Sequence, residues 1–166
     1  WLRAPSHAPT KEITDAITGS IEKIKLFAKS IHDGSIKTEK GAAFKHLLVI
    51  GIGGSALGPQ LLNDALGDES SPLKMHFLDN SDPDGFDRVF GSLKDELDQT
   101  LVIVTSKSGG TPETRNGALE AAHVYTSAGL NFGRHAVAVT CRDSKLDQQA
   151  AEEKWLERFE MWDWVG

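Results

Sequence analysis

Cysteine is nearly absent. Cys141 is the single one in 166 residues, so no disulfide can close within the chain, and a reducing compartment, the cytoplasm, suits it. Basic blocks are absent too: 18 Lys and Arg face 24 Asp and Glu, for a net charge of −6. Nucleic acid and anionic membrane surfaces both select clustered cations, so neither is expected as a partner. No apolar run approaches the roughly 20 residues of a membrane-spanning helix, and no signal-peptide pattern opens the chain. Internal repeats and low-complexity tracts are missing. What is present is an ordinary globular composition, 39% hydrophobic and 25% charged, in a length that suits one domain with its own core. Any anionic ligand must be held by local groups, because no broad positive field is available.

The chain opens on Trp1 instead of Met and stops at Trp162-Asp163-Trp164-Val165-Gly166. Trp155, Trp162 and Trp164 crowd its last dozen residues. It reads as a piece of a longer protein, with the closing tryptophans expected to pack on a surface the piece lacks.

Apolar residues at Ile13, Ile17, Ile21, Ile24, Phe27 or Ala28 and Ile31 recur in steps of three and four, which predicts a helix over 10–32 ended by Asp33-Gly34. From about residue 40 the pattern alternates. Strands are expected near 46–51, 74–79, 101–106, 135–140 and 159–164, and helices near 55–66, 84–93, 112–128 and 144–153. The first and third strands, Leu47-Leu48-Val49-Ile50 and Leu101-Val102-Ile103-Val104, are continuous apolar runs, as in parallel strands covered on both faces. Right-handed crossovers then give an α/β fold, a doubly wound five-stranded parallel sheet, read with the flavodoxin-like order 2-1-3-4-5. The expected organisation is an N-terminal helical segment over 1–40 and a wound domain over 41–166.

Two loops carry the chemistry. Gly51-Ile52-Gly53-Gly54-Ser55 follows the first strand, and Ser106-Lys107-Ser108-Gly109-Gly110-Thr111 follows the third. In the 2-1-3-4-5 order these loops lie side by side at the switch point, where ligands bind at the strands' carboxyl ends. Each feeds a helix N-terminus, which presents unpaired N–H groups to an anion. Ser55 stands where a helix N-cap belongs. Gly51 to Ala56 also fits the dinucleotide pattern G-x-G-x-x-G/A, with Asp79 as a ribose-binding acid, although Asp79 comes rather late for that role. The hydroxyl cluster tips the balance. Ser106, Ser108 and Thr111, with the amides between them, match the oxygens of a phosphoryl group, and Lys107 adds charge or points to solvent. Pro112 suits the first helical position and Glu113 the helix dipole, a purely structural alternative for both.

On Val49 to Pro59, Phe77 to Asp84 and Val104 to Thr114 the chain resembles the sugar-isomerase (SIS) domain, and in particular the N-terminal SIS domain of the glucose-6-phosphate isomerase family. The likeness covers about residues 40–166. The Gly109-Gly110 pair with Pro112 is similar to bacterial members. The resemblance implies an aldose–ketose isomerase acting on glucose 6-phosphate and fructose 6-phosphate through an enediolate, and a homodimer as the whole enzyme. Such chemistry needs a carboxylate base, a ring-opening acid/base and a cation for the enediolate, with no cofactor or metal. By the same resemblance, Ser106, Ser108 and Thr111 bind the phosphate, with Lys107 contributing mainly through its backbone. Gly54 and Ser55 touch the sugar, and Glu113 supports the reacting centre. The principal base, histidine, lysine and arginine are expected beyond this chain, so the fragment by itself is expected to bind sugar phosphate and barely catalyse.

None of the six histidines falls in a matching motif; His123 and His135 are read as surface or structural. Cys141 is a small buried residue or a reactive thiol. Other readings are a non-catalytic module that senses a sugar phosphate, a dinucleotide-dependent oxidoreductase, and a fusion with another sugar-phosphate enzyme such as transaldolase.

Overall fold

The computed structural model describes residues 3–165. The chain divides into two compact units, one up to Ile36 and one from Lys37 on. The first unit holds a short 3-10 turn, Pro5–His7, and helix α1, Lys11–His32. Thr10 caps α1, its side chain accepting from the Ile13 N–H. Ile17 and Ile31 of the predicted stripe are buried, whereas Ile24 is half exposed.

The second unit alternates without exception. Its order is β1 His46–Ile50, α2 Gly54–Leu66, β2 Lys74–Leu78, α3 Pro83–Leu93, β3 Thr100–Thr105, α4 Pro112–Ser127, β4 Ala136–Thr140, α5 Lys145–Glu152 and β5 Glu157–Glu160. The five strands form one parallel sheet in the order β2-β1-β3-β4-β5, the flavodoxin-like order expected. Central β1 and β3 bury most of their residues; edge strand β5 alternates between half-buried and exposed positions, and edge strand β2 is half-buried through its middle.

The core runs from Leu48, Ile50, Val102 and Val104 in the sheet to Ala118, Ala121 and Tyr125 on α4, and on to Phe132, Leu146 and Trp155. Helix α4 lies close over β1 because residue 117 is glycine. A Cβ there would stand 2.9 Å from Ile50 Cγ2. Residues 37–40 belong to this unit by their bonds: Thr38 exchanges hydrogen bonds with Ala42, the Glu39 carboxylate accepts from the Asn131 N–H, and Lys40 pairs with Asp98.

The last strand differs from expectation. β5 is Glu157–Glu160, not 159–164. The ladder takes one more bond, from Met161 N–H to the Thr140 carbonyl at 2.8 Å, and the chain then turns, with Val165 N–H donating to Trp162 O at 3.0 Å. The alternating Glu157-Arg158-Phe159-Glu160 suits an edge strand, and the aromatic run that looked strand-like lies outside it; Gly166 is outside the described residues. Trp155 is a second correction. It is a core residue, 7% exposed, set edge-on to Phe132 at 5.3 Å, with its indole N–H donating to Glu153. Of the three closing tryptophans, Trp162 and Trp164 lie near the surface, stacked on each other at 5.0 Å.

Candidate functional site

The register places Ile50 beside Val104, so the loops that leave β1 and β3 emerge together at the carboxyl edge. Each is anchored by one further ladder bond, Gly51 N–H to Leu78 O at 3.2 Å and Ser106 N–H to Val139 O at 3.1 Å.

In the first loop Gly53 takes φ +56 and caps α2, with no side-chain capping bond. Ser55 is therefore not the N-cap. The positive φ that only glycine adopts readily turns the chain one step earlier, and Ser55 becomes the second helical residue. Gly51 is buried and tight: a Cβ would stand 3.0 Å from that of Ser55. Gly53 and Gly54 are exposed and Ser55 half-buried. Asp79 is engaged on both oxygens, by Gln60 Nε2 at 2.8 Å and by Asn80 Nδ2 at 2.9 Å.

The second loop is more tightly built. Ser106 is 5% exposed, and its hydroxyl donates to that of Thr111 at 3.3 Å, closing the loop on itself. The Ser108 hydroxyl accepts from Gly110 N–H at 3.2 Å. Gly109 holds φ +67, and a Cβ there would stand 2.5 Å from Leu146 N, so the loop rests on the start of α5. Thr111 precedes Pro112 at the first position of α4, and no side chain caps the helix. The first-turn N–H groups have no intrahelical acceptor. Glu113 sits half-buried in that turn. Next to it Thr114 is 3% exposed, and its hydroxyl has no hydrogen-bond partner.

A pocket of about 390 Å³ opens beside this loop. Lys107, Ser108 and Thr111 form one wall, and Cys141, Arg142, Asp143, Ser144 and Asp163 the other. Ser106, Glu113, Gly54 and Ser55 do not line it. A larger hollow of about 600 Å³ lies around Asn63 to Met75, near the amino end of β2. It is at the wrong end of the sheet for a switch-point ligand, and the smaller pocket is the better candidate.

The β4–α5 loop, residues 141–144, is a wall that the sequence reading did not include. Asp143 holds φ +60 there, with its N–H bonded to Asp147. Ser144 caps α5, and its hydroxyl lies 2.7 Å from that of Thr140, which donates to Ser106 O at 2.6 Å. The signal was available: this loop, too, follows a strand at the carboxyl edge. Cys141 is partly covered. Burial and the adjacent Asp163 carboxylate push its thiol pKa up, which opposes a reactive thiolate.

The histidines divide as read. His123 is exposed on α4. His135 is fully buried below β4, with Nδ1 3.1 Å from Thr100 O; its Nε2 is 3.8 Å from Glu39, too far for a hydrogen bond. His46 stands between His76 at 3.0 Å and Glu96 at 2.9 Å, at the opposite end of the sheet. Among the described residues no group of three or more His, Cys, Asp or Glu could hold a metal ion, and no helix is long and apolar enough to cross a membrane.

A doubly wound parallel sheet with a glycine loop and a hydroxyl loop side by side at its switch point defines the class, an α/β domain of the sugar-isomerase type. The family described as Phosphoglucose isomerase matches residues 2–166. The glucose-6-phosphate isomerase of Synechococcus sp. (strain JA-2-3B'a(2-13)) is 58% identical over the whole chain, and that of Geotalea daltonii is 54% identical. The crystal structure of a glucose-6-phosphate isomerase from Chlamydia trachomatis superposes with a TM-score of 0.80 at 32% identity, over 96% of this chain and 28% of that one. The chain belongs to the phosphoglucose isomerase family. It spans about a third, 31%, of the length of these curated relatives.

Proposed function

We propose that this chain is the sugar-phosphate-binding part of an aldose–ketose isomerase that interconverts glucose 6-phosphate and fructose 6-phosphate through an enediolate. One observation carries the reading. In a chain matched along its length by this family, the 106–111 hydroxyl loop runs directly into the N-terminus of α4, at the switch point beside the 51–55 loop.

In this reading Ser106, Ser108 and Thr111 hold the phosphate, with the Lys107 backbone N–H. Gly54 and Ser55 meet the sugar, and Glu113 supports the reacting centre. Magnitudes favour local bonds as the source of affinity. A net charge of −6 repels the ligand at long range and a helix terminus returns only about 0.3–1 kcal/mol, whereas each hydrogen bond to a charged oxygen contributes about 1.5–3 kcal/mol. The wound unit, from Lys37 on, is the binding domain. The whole enzyme is a cytoplasmic homodimer serving glycolysis and gluconeogenesis, and the principal base lies outside these residues.

Two measurements test this. A crystal soaked with fructose 6-phosphate is expected to show the phosphoryl oxygens against the 106–111 turn; density elsewhere sinks the assignment. The isolated 166 residues are expected to show negligible isomerisation beside the full-length enzyme, and substantial turnover by the fragment would overturn the division of labour.

A further inference from the structure

Lys107 is the one cation within the hydroxyl loop, yet its charge goes elsewhere. Its ammonium donates to the main-chain carbonyl of Asp163 at 2.8 Å and to that of Val165, using two of its three donors on the segment after β5. Its own carbonyl accepts from Cys141 N–H at 3.1 Å and from the Thr140 hydroxyl at 3.3 Å. The residue is thus gripped at both ends, while Ser108 and Gly110 beside it are exposed. The segment it holds has a form of its own, with the Trp162–Trp164 stack and the turn closed by Val165 N–H. Asp163 and Lys107 both line the 390 Å³ pocket.

We propose that Lys107 is a positioning residue whose ammonium ties residues 161–165 to the phosphate loop, so that filling the cradle and ordering that segment are coupled. This rests on the functional reading above and adds to it. The backbone of residue 107 serves the anion, and its side chain transmits the occupied state to a neighbouring segment. A ligand that orders the loop lowers the entropic cost of holding 161–165 through the same residue.

The test uses the full-length enzyme with Lys107→Met and Lys107→Arg. In the Met variant kcat falls by about tenfold or more, while KM for fructose 6-phosphate and inhibition by inorganic phosphate change by less than about threefold. Arg, which can still donate to both carbonyls, restores most of kcat. Hydrogen exchange reads the coupling directly. Inorganic phosphate slows exchange in 106–111 and 161–165 of the wild type, but only in 106–111 of the Met variant.

A Met variant with raised KM and unchanged kcat makes the ammonium a phosphate ligand and overturns the proposal. If that variant does not fold, the wild type decides alone: protection of 106–111 without 161–165 removes the coupling. A wild type that isomerises nothing and shows no protection by phosphate in either segment refutes the functional reading itself, a distinct result.

Discussion

Ser106 and Thr111 stand five residues apart and meet through their hydroxyls at 3.3 Å, because the glycines between them let the loop fold back. Gly109 is the position no other residue could take, since both its φ of +67 and the Leu146 backbone at 2.5 Å exclude a side chain. Replacing Ser106 and Thr111 together by Ala in the full-length enzyme removes two bonds of about 1.5–3 kcal/mol each. The expected result is a loss of at least about a hundredfold in kcat/KM with the melting temperature little changed; unchanged kinetics would reject the phosphate assignment. The hydroxyl types and their crowding were legible in the sequence, because composition and order state them directly. The direction of the Lys107 side chain was not, because its acceptors lie 56 and 58 residues away. Nor was the true cap of α2, where the positive φ of Gly53 outweighed the capping preference of Ser55.

Helix α4 sets the site by its distance from β1. Gly117 permits that approach, with Ile50 Cγ2 2.9 Å from where a Cβ would be. Gly117→Ala gains about 1 kcal/mol of helix propensity and incurs about 1–3 kcal/mol of overpacking. The close contact wins, so the urea midpoint is expected to fall and the affinity for inorganic phosphate to weaken as the N-terminus of α4 lifts. A midpoint equal to or above the wild type would show that the helix yields freely. Strands β1 and β3 were readable because a strand buried on both faces needs an unbroken apolar run. β5 was not, because an edge strand of Glu157-Arg158-Phe159-Glu160 carries little of that signal while the neighbouring tryptophans carry too much. The placement of Trp155 against Phe132 depends on a contact 23 residues away, which no local pattern encodes.

Across the molecule, burial lowers the pKa of two histidines. The pKa of His76 lies below its ordinary 6.5 through burial and the nearby charges of His46 and Lys74. That of His135 is lowered by burial against the opposing pull of the Thr100 carbonyl, Glu39 and Asp98. Below about pH 6.5 the unfolded chain therefore binds more protons than the folded one, and stability falls as pH drops through that value towards the folded pKa values. Glu96, whose pKa is lowered chiefly by its hydrogen bond to His46, extends the loss to more acid conditions. Urea midpoints at about pH 7.5 and 5.5 are expected to fall between the two, with a shallower decline in His76→Gln. A flat profile would mean that folding does not lower the pKa of these rings.

The chain's order of apolar runs, helix periods, glycines and hydroxyls determined by itself the alternation of strand and helix and the two loops that follow the first and third strands. Each follows from periodicity and turn chemistry within a few residues, whereas the 2-1-3-4-5 order was read from the fold type and rests on pairings tens of residues apart. Tertiary structure alone decided that the β4–α5 loop forms the second wall of the pocket, that Lys107 reaches the 161–165 segment, and that His46, His76 and Glu96 meet beneath the sheet. Those contacts join residues tens of positions apart. Their energies depend on burial and geometry that exist only once the sheet has formed.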